Sequence, residues 1–503
     1  MNGVGYLDLL RALAPETALV IAALAVLFID LGIMRGEPRR HRFWMGGGVA
    51  ILGCAIALLL LAATGASLRF ADGVLVVDPL TQWVKVVLVG LTLGTAVLSL
   101  HAGFTEHVGE YFALLLLATA GMMFLASTEE LLMIFVALEL TSLSLYILTA
   151  FHQGERRSVE AAFKYFLFGS VAAAFTLFGL SLVYGLAGGT TLREIGAAAG
   201  GARLDPLLAV ALVMVVIGFG FKVAAVPFHL WAPDAYEGAP TPAAALIASG
   251  SKVASFFVLA KVLALGFTGV EGSAVWTHWG GGWLPLLAVV AVASMLLGNL
   301  AAIAQEQLRR LLAYSAVAHA GYVLLGLMAL RPDASRASAL AAVLYYVATY
   351  GLTTVGAFGV VGVLERATGS SRLDAFTGLS RRSPGVALCL FIFLLSLAGI
   401  PPLAGFFGKF YVFAAAAGAE PKGLGQLWLV VFAIAMSAVS LYYYLRVLKQ
   451  AYVVADPADA PALTVPFTDR LFLAVAAALV LILGLFPGLL LHPLEQALRA
   501  AGL

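Results

Sequence analysis

Several ionisable side chains sit where water should be scarce. Lys85, Glu139, Lys164, Lys222, Lys252, Lys261, His319 and Lys409 each fall inside an apolar run. A charge at the centre of a membrane-spanning helix costs about 2.5 to 3.5 kcal/mol on the insertion scale, so such residues point to function, with a partner or water nearby. Glu139 lies in MIFVALELTSLSLYILTAF with no basic residue within a helical turn, so its partner must come from another helix. Lys222, in GFGFKVAAVPFHLWAPDAYEGAPTP, is the obvious choice. Desolvation makes a lysine give up its proton more readily, and a nearby carboxylate makes it hold on. A Glu/Lys pair that opens and closes is therefore a proton switch.

Not every charge in an apolar run asks for this chemistry. Lys85 and Lys261 sit near the ends of their runs, where a long stem can carry the ammonium to the interface. Asp30, late in the first run, reads as an interfacial cap, and His229, Asp234 and Glu237 read as loop ligands of backbone groups. His319, in LLAYSAVAHAGYVLLG, has two open readings, a relay that changes charge near neutrality or a polar contact between helices. It is not half of a bis-histidine haem site, because every other histidine falls at a run end or in a loop. Cys54 and Cys389 are the only cysteines, too few for a disulfide framework or an iron–sulfur site. With no G-x-G-x-x-G fingerprint either, the chain is expected to bind no cofactor or metal.

The elements that carry these residues follow from composition. Of 503 residues 62% are hydrophobic and 11% charged, with a mean hydropathy of +1.01, which excludes a soluble globule and indicates an all-α polytopic membrane protein. The net charge of +2 gives no reason to expect a nucleic-acid partner. Runs long enough to cross about 30 Å of hydrocarbon lie near 16–34, 44–64, 79–100, 111–127, 129–150, 158–186, 206–228, 242–266, 284–303, 311–330, 338–364, 386–418, 427–449 and 470–490. The first has no basic n-region before it and no small-residue cleavage signature after it, so it reads as a transmembrane helix rather than a signal peptide. Arg35, Arg39, Arg40, Arg42, Arg156, Arg157, Arg309, Arg310, Arg366, Arg372, Arg381, Arg382, Arg446 and Lys449 all follow odd-numbered spans. The positive-inside rule then puts both termini outside the cytoplasm, against Arg193, Arg203, Arg331 and Arg336 on the other side.

The chain also carries a trace of internal repetition. SKVASFFVLAKVLAL from Ser251 aligns on MSAVSLYYYLRVLKQ from Met436, and the same offset brings Lys222 to within two positions of Lys409. A repeat of five spans is odd in number, so its copies run in opposite directions, and matching Gly/Pro-interrupted helices in inverted repeats point to an ion path at mid-membrane. Spans seven and twelve are the interrupted ones, near Pro227 and near Pro401 and Pro402.

These stretches resemble the antiporter-like membrane subunits of bacterial NADH:quinone oxidoreductase, respiratory complex I, and among them the N type. The resemblance runs over nearly the whole chain. It is carried by FVALELTSLSLYIL around Glu139, AAFKYFLFGS around Lys164, FKVAAVPFHLWAPDAYEGAPTP around Lys222, SGSKV around Lys252, GNLAAIAQEQLRRLLAYSAVAHAGY around His319 and SLAGIPPLAGFFGKFYVF around Lys409. Related M subunits have a glutamate where this chain has Lys409. The resemblance implies a fourteen-helix fold with an N-terminal three-helix segment over 1–110, a first repeat of spans four to eight over 111–266, an inverted second repeat of spans nine to thirteen over 284–449, and a last loop and helix over 450–503. It implies a proton-translocating subunit in which Glu139 and Lys222 form a modulating pair, Lys252 is the central relay and Lys409 faces the exit side; Lys164 matches a family lysine without a definite step. NADH, FMN, iron–sulfur clusters and quinone are expected in the rest of the complex, subunits M and K as neighbours, and the bacterial inner membrane as the location. A cation/proton antiporter subunit of the Mrp type, or a scaffold whose lysines only hold helices together, are the competing readings.

Overall fold

The structure, a computed structural model, describes residues 5–63, 67–200, 204–330, 335–419, 425–455 and 463–502. Arg203 and Arg331, two of the basic residues that run against the expected topology, lie outside the described residues. Within them the chain is mostly helical, as its apolar runs require, since a backbone in hydrocarbon must satisfy its own N–H and C=O groups.

Twelve described helices are long and apolar enough to cross a membrane. In the numbering of the expected spans they are one (Ala14–Ile33), two (Arg39–Ala63), three (Pro79–Ser99), four (Val108–Ala126), five (Leu131–Thr149), six (Arg156–Ala187), eight (Thr241–Gly266), nine (Trp283–Ile303), ten (Leu308–Leu327), eleven (Arg336–Thr368), thirteen (Leu427–Tyr452) and fourteen (Phe467–Leu485). Spans seven and twelve are interrupted, and span eight is kinked at Ser249, between Thr241–Ala248 and Gly250–Lys261. Span seven is a helix over Pro206–Lys222, then a turn, then a short helix Trp231–Gly238. Span twelve is split into Pro384–Ala398 and Ala404–Gly418.

Local chemistry sets the helix ends. Asp78 accepts from Thr81 N at 2.7 Å and Asp205 from Leu208 N at 2.7 Å, each just before a proline in the first turn. Spans six and eleven, the two longest, stop at Gly188 (φ 72°) and Gly369 (φ 71°), left-handed positions that suit glycine. Two short hairpins, Leu68–Phe70 with Leu75–Val77 and Ser273–Val275 with His278–Gly280, were not expected. Three-residue strands are too short to leave an alternation in the sequence.

Burial sorts the helices. The most apolar stretches of spans eight, ten and eleven are 100%, 89% and 89% buried, whereas those of one, six, thirteen and fourteen are 33% buried and form the rim. Spans nine and ten touch backbone to backbone: a Cβ on Gly298 would lie 2.5 Å from Ala318 N, and one on Gly321 would lie 2.7 Å from the Ala291 carbonyl. Small residues at such contacts are how membrane helices approach closely. Lys252 and His319 thus ride on the central helices.

Candidate functional site

The first helix break frees a carbonyl and gives it a lysine. The helix Pro206–Lys222 cannot continue, because Ala224 adopts φ 55° and Pro227 has no N–H to donate. Lys252, 2% exposed on span eight, donates to the Val223 carbonyl at 2.5 Å. Its ammonium lies 5.6 Å from the centre of the Trp231 ring, and Trp231 Nε1 in turn donates to the Phe221 carbonyl at 2.9 Å. One residue before the break, Lys222 Nζ is 3.5 Å from Glu139 Oε1 and donates to Ser142 Oγ. Glu139 and Ser142 are three residues apart on span five, so one helical face presents both.

At the second break a buried lysine again meets a freed carbonyl, here from the later half of the interrupted span itself. Gly399 (φ 87°), Pro401 and Pro402 end the helix Pro384–Ala398. Lys409, 4% exposed, donates to the freed Ala398 carbonyl at 3.0 Å and to Ser437 Oγ at 2.8 Å, with Tyr322 5.0 Å away under its ammonium. Between the two breaks lies His319, buried on span ten. Its Nδ1 is 2.7 Å from Tyr346 Oη and its Nε2 3.4 Å from Tyr444 Oη, and Tyr350 packs on its ring at 4.9 Å. Ser142, Ser437 and the tyrosines were not singled out from the sequence. Ser142 could have been, since it stands one helical step from Glu139.

The remaining charges do other work. Lys164 has a side chain 40% exposed and bridges Glu160 at 2.8 Å and Asp234 at 2.9 Å. Asp234 and Glu237 also bind Arg310, each at 2.8 Å, so they are partners of side chains and not, as expected, of backbone groups. Asp30 does cap a helix, accepting from Gly109 N at 2.8 Å at the start of span four, and it also receives Arg42 at 2.5 Å and 2.7 Å.

Lys85 and Lys261 do not reach for an interface; both are 1% exposed. Lys85 Nζ sits 2.6 Å from Glu16 Oε1, an ion-pair contact off the angle of a good hydrogen bond. Lys261 donates to the Ala126 and Thr128 carbonyls at 3.2 Å, closing the end of span four, and lies 4.0 Å from Glu129. Glu129, in the turn after span four, also meets Arg69 at 2.9 Å and Arg193 at 3.4 Å. Burial would raise its carboxyl, but Lys261 and the two arginines outweigh that and hold it low. A carboxyl lowered on folding stabilises fully above its unfolded value, about 4.3 for Glu, and that stability fades as pH falls through the lower folded value. Glu129→Gln should therefore melt below wild type at neutral pH, with the gap closing on acidification; a gap constant across that range counts against the assignment.

Among the described residues no group of three His, Cys, Asp or Glu could hold a metal ion. Among Lys222, Lys252, His319 and Lys409 the geometry offers instead two buried ammonium groups on freed carbonyls, an imidazole between phenols, and a lysine beside a carboxylate, all groups that can hold a proton.

Known proteins share this plan. The family described as NADH:quinone oxidoreductase/Mrp antiporter, TM matches residues 128–439. A relative from Acidobacterium capsulatum, NADH-quinone oxidoreductase subunit N 2, is 53% identical over 98% of this chain and 99% of its own. A chain of respiratory complex I from Thermus thermophilus superposes with TM-score 0.76 at 35% identity, covering 95% of this chain and 98% of that one. A chain of the Mrp complex from Dietzia sp. reaches TM-score 0.80 at 22% identity, covering 97% of each, and speaks for the fold alone.

Proposed function

The chain belongs to the NADH:quinone oxidoreductase/Mrp antiporter membrane family, as a subunit N of NADH-quinone oxidoreductase, and on that premise we propose that Glu139, Lys222, Lys252, His319 and Lys409 are its proton relay. The family makes it a proton-translocating membrane subunit of a bacterial respiratory complex. The finer assignments are our reading. Glu139 biases Lys222, Lys252 stores the proton at the first break, His319 passes it between phenols, and Lys409 releases it at the second. Lys164 is a positioning residue that tethers Asp234 beside the short helix after the first break.

The observation that carries this reading is the twofold seating of a buried lysine on a carbonyl freed by a helix break, Lys252 on Val223 and Lys409 on Ala398. A scaffold needs no such match. The matching interruptions of spans seven and twelve support division into a three-helix segment (1–110), inverted repeats over 111–266 and 284–449, and a final segment (450–503). Each interrupted helix then crosses once, giving fourteen crossings with both termini periplasmic in the inner membrane. The chain has subunits M and K as neighbours, and NADH, FMN, iron–sulfur clusters and quinone bind elsewhere in the complex.

Lys252→Met tests the relay, because it keeps the stem among its buried neighbours and deletes the proton carrier. We expect assembled complex with a severalfold fall in NADH-driven proton uptake into vesicles. Uptake equal to wild type at equal complex content would end the relay reading.

A further inference from the structure

At the face bearing the arginine-rich connections a cavity of about 610 Å³ opens between the two halves of the chain, lined in part by Glu237, Thr241, Arg309, Gly362, Glu365 and Arg372. Its inner wall is built rather than incidental. Arg309, 9% exposed at the start of span ten, donates from Nε to the Tyr236 carbonyl at 2.8 Å and from Nη2 to the Ala239 carbonyl. Its Nη1 lies 3.2 Å from one oxygen of Glu365, and Thr241 Oγ1 donates to the other. The Glu365 side chain keeps 21% of its surface open, so it is tied in place yet reachable by water.

Directly behind Arg309 the polar groups continue inward. Tyr236 is fully buried, and its Oη makes no hydrogen bond among the described residues; Thr354 Oγ1, also buried, has the Tyr350 hydroxyl as its neighbour. Buried hydroxyls are satisfied in native proteins, and where protein supplies no partner an ordered water does. Glu365, Phe358, Thr354 and Tyr350 recur on span eleven at spacings that share one helical face. The Tyr236 ring packs on Phe358 at 5.9 Å, and the Tyr350 ring on His319 at 4.9 Å. From Glu365 to Tyr350 the helix rises about 22 Å, which takes the row from the cavity to the histidine.

We propose that this vestibule is the water-fed mouth of the proton path to His319, with Glu365 the group that loads it and the Tyr236, Thr354 and Tyr350 hydroxyls its ordered wall. The proposal rests on the relay reading of His319 but makes a separate claim, that water reaches Thr354 from one side only. Glu365 takes up a proton from the cavity and passes it to the first water behind Arg309; no bond but O–H is made or broken. A purely structural Glu365 would tie spans eight, ten and eleven through Arg309 and Thr241 and carry nothing.

Two measurements on the assembled complex in inverted membrane vesicles separate these roles. The first compares NADH-driven proton uptake, per complex assembled, in Glu365→Gln and Glu365→Asp. The amide still accepts from Thr241 but cannot load a proton, so uptake should fall severalfold in the glutamine variant and recover in the aspartate variant. The second places Thr354→Cys in a chain whose Cys54 and Cys389 are alanine, and adds a small membrane-impermeant thiol reagent outside or inside the vesicles. The cysteine should react from the vestibule side alone, and reaction should block uptake. Wild-type uptake in a fully assembled glutamine variant, or a cysteine inert from both sides, overturns the proposal; if the glutamine variant does not assemble, the labelling decides alone. Labelling as expected beside wild-type uptake in Lys252→Met would sink the relay and leave the water-filled mouth standing.

Discussion

Lys222→Arg should assemble and fail to pump. Arginine keeps the positive charge next to Glu139 and can bond its carboxylate at two points, so helix packing around span five survives. It cannot release a proton near neutrality, and NADH-driven uptake should fall roughly tenfold or more at unchanged complex content. Lys222→Met, which keeps the stem and removes the charge, should fall as far. Glu139→Gln should impair the same step by removing the charge that biases the lysine, now 3.5 Å away, whereas Glu139→Asp should retain part of it. The measurement is proton uptake into vesicles beside complex content in the same membranes. Wild-type uptake in the fully assembled arginine variant would leave Lys222 a scaffold residue.

Stability should respond most to Lys85 and Glu16. Both side chains are 1% exposed, and they face each other at 2.6 Å between spans one and three. Removing one member of a buried pair strands the other charge and costs about 3–5 kcal/mol, while replacing both with neutral groups of similar volume is often nearly neutral. Lys85→Met alone should therefore lower the melting temperature and the yield of complex sharply. The double variant Glu16→Gln/Lys85→Met should recover most of both. If the single variant melts like wild type, or the double variant melts below both singles, the pair is not a clamp.

The helices and the two breaks were legible because their causes are local. The apolar run near 427–449 became Leu427–Tyr452, and the breaks fell at Pro227 and at Pro401 and Pro402 since a proline without an N–H interrupts the ladder wherever the rest of the chain lies. Partners across the fold were not legible. Nothing near Lys85 in sequence points to Glu16, and nothing near Lys261 points to the carbonyls that end span four, so both lysines read as interfacial until packing enclosed them. His319 left two readings open because its tyrosines, Tyr346 and Tyr444, come from spans eleven and thirteen, and a tyrosine in an apolar helix is ordinary. Glu139 and Lys222 were matched from sequence because few other charges could answer a mid-span carboxylate. The placement of Lys164 against Asp234 depends on the short helix Trp231–Gly238, which the prolines around it concealed.

The two interrupted helices differ from Glu139 in the kind of negative charge they offer. A helix ending inside the protein exposes a run of unsatisfied carbonyls, equivalent to about half an electron charge at its C-terminus. Lys252 faces that pole of Pro206–Lys222, and Lys409 faces that pole of Pro384–Ala398. Such a pole is fixed: it cannot be protonated, and it cannot swing away. Lys222 alone among the three leans on a carboxylate with its own rotatable side chain, 26% open at the flank of the bundle. On the proposed relay, a neighbour pressing on that flank would retune Lys222 while the affinities of the other two stay constant, one lysine serving as the valve and two as the reservoir.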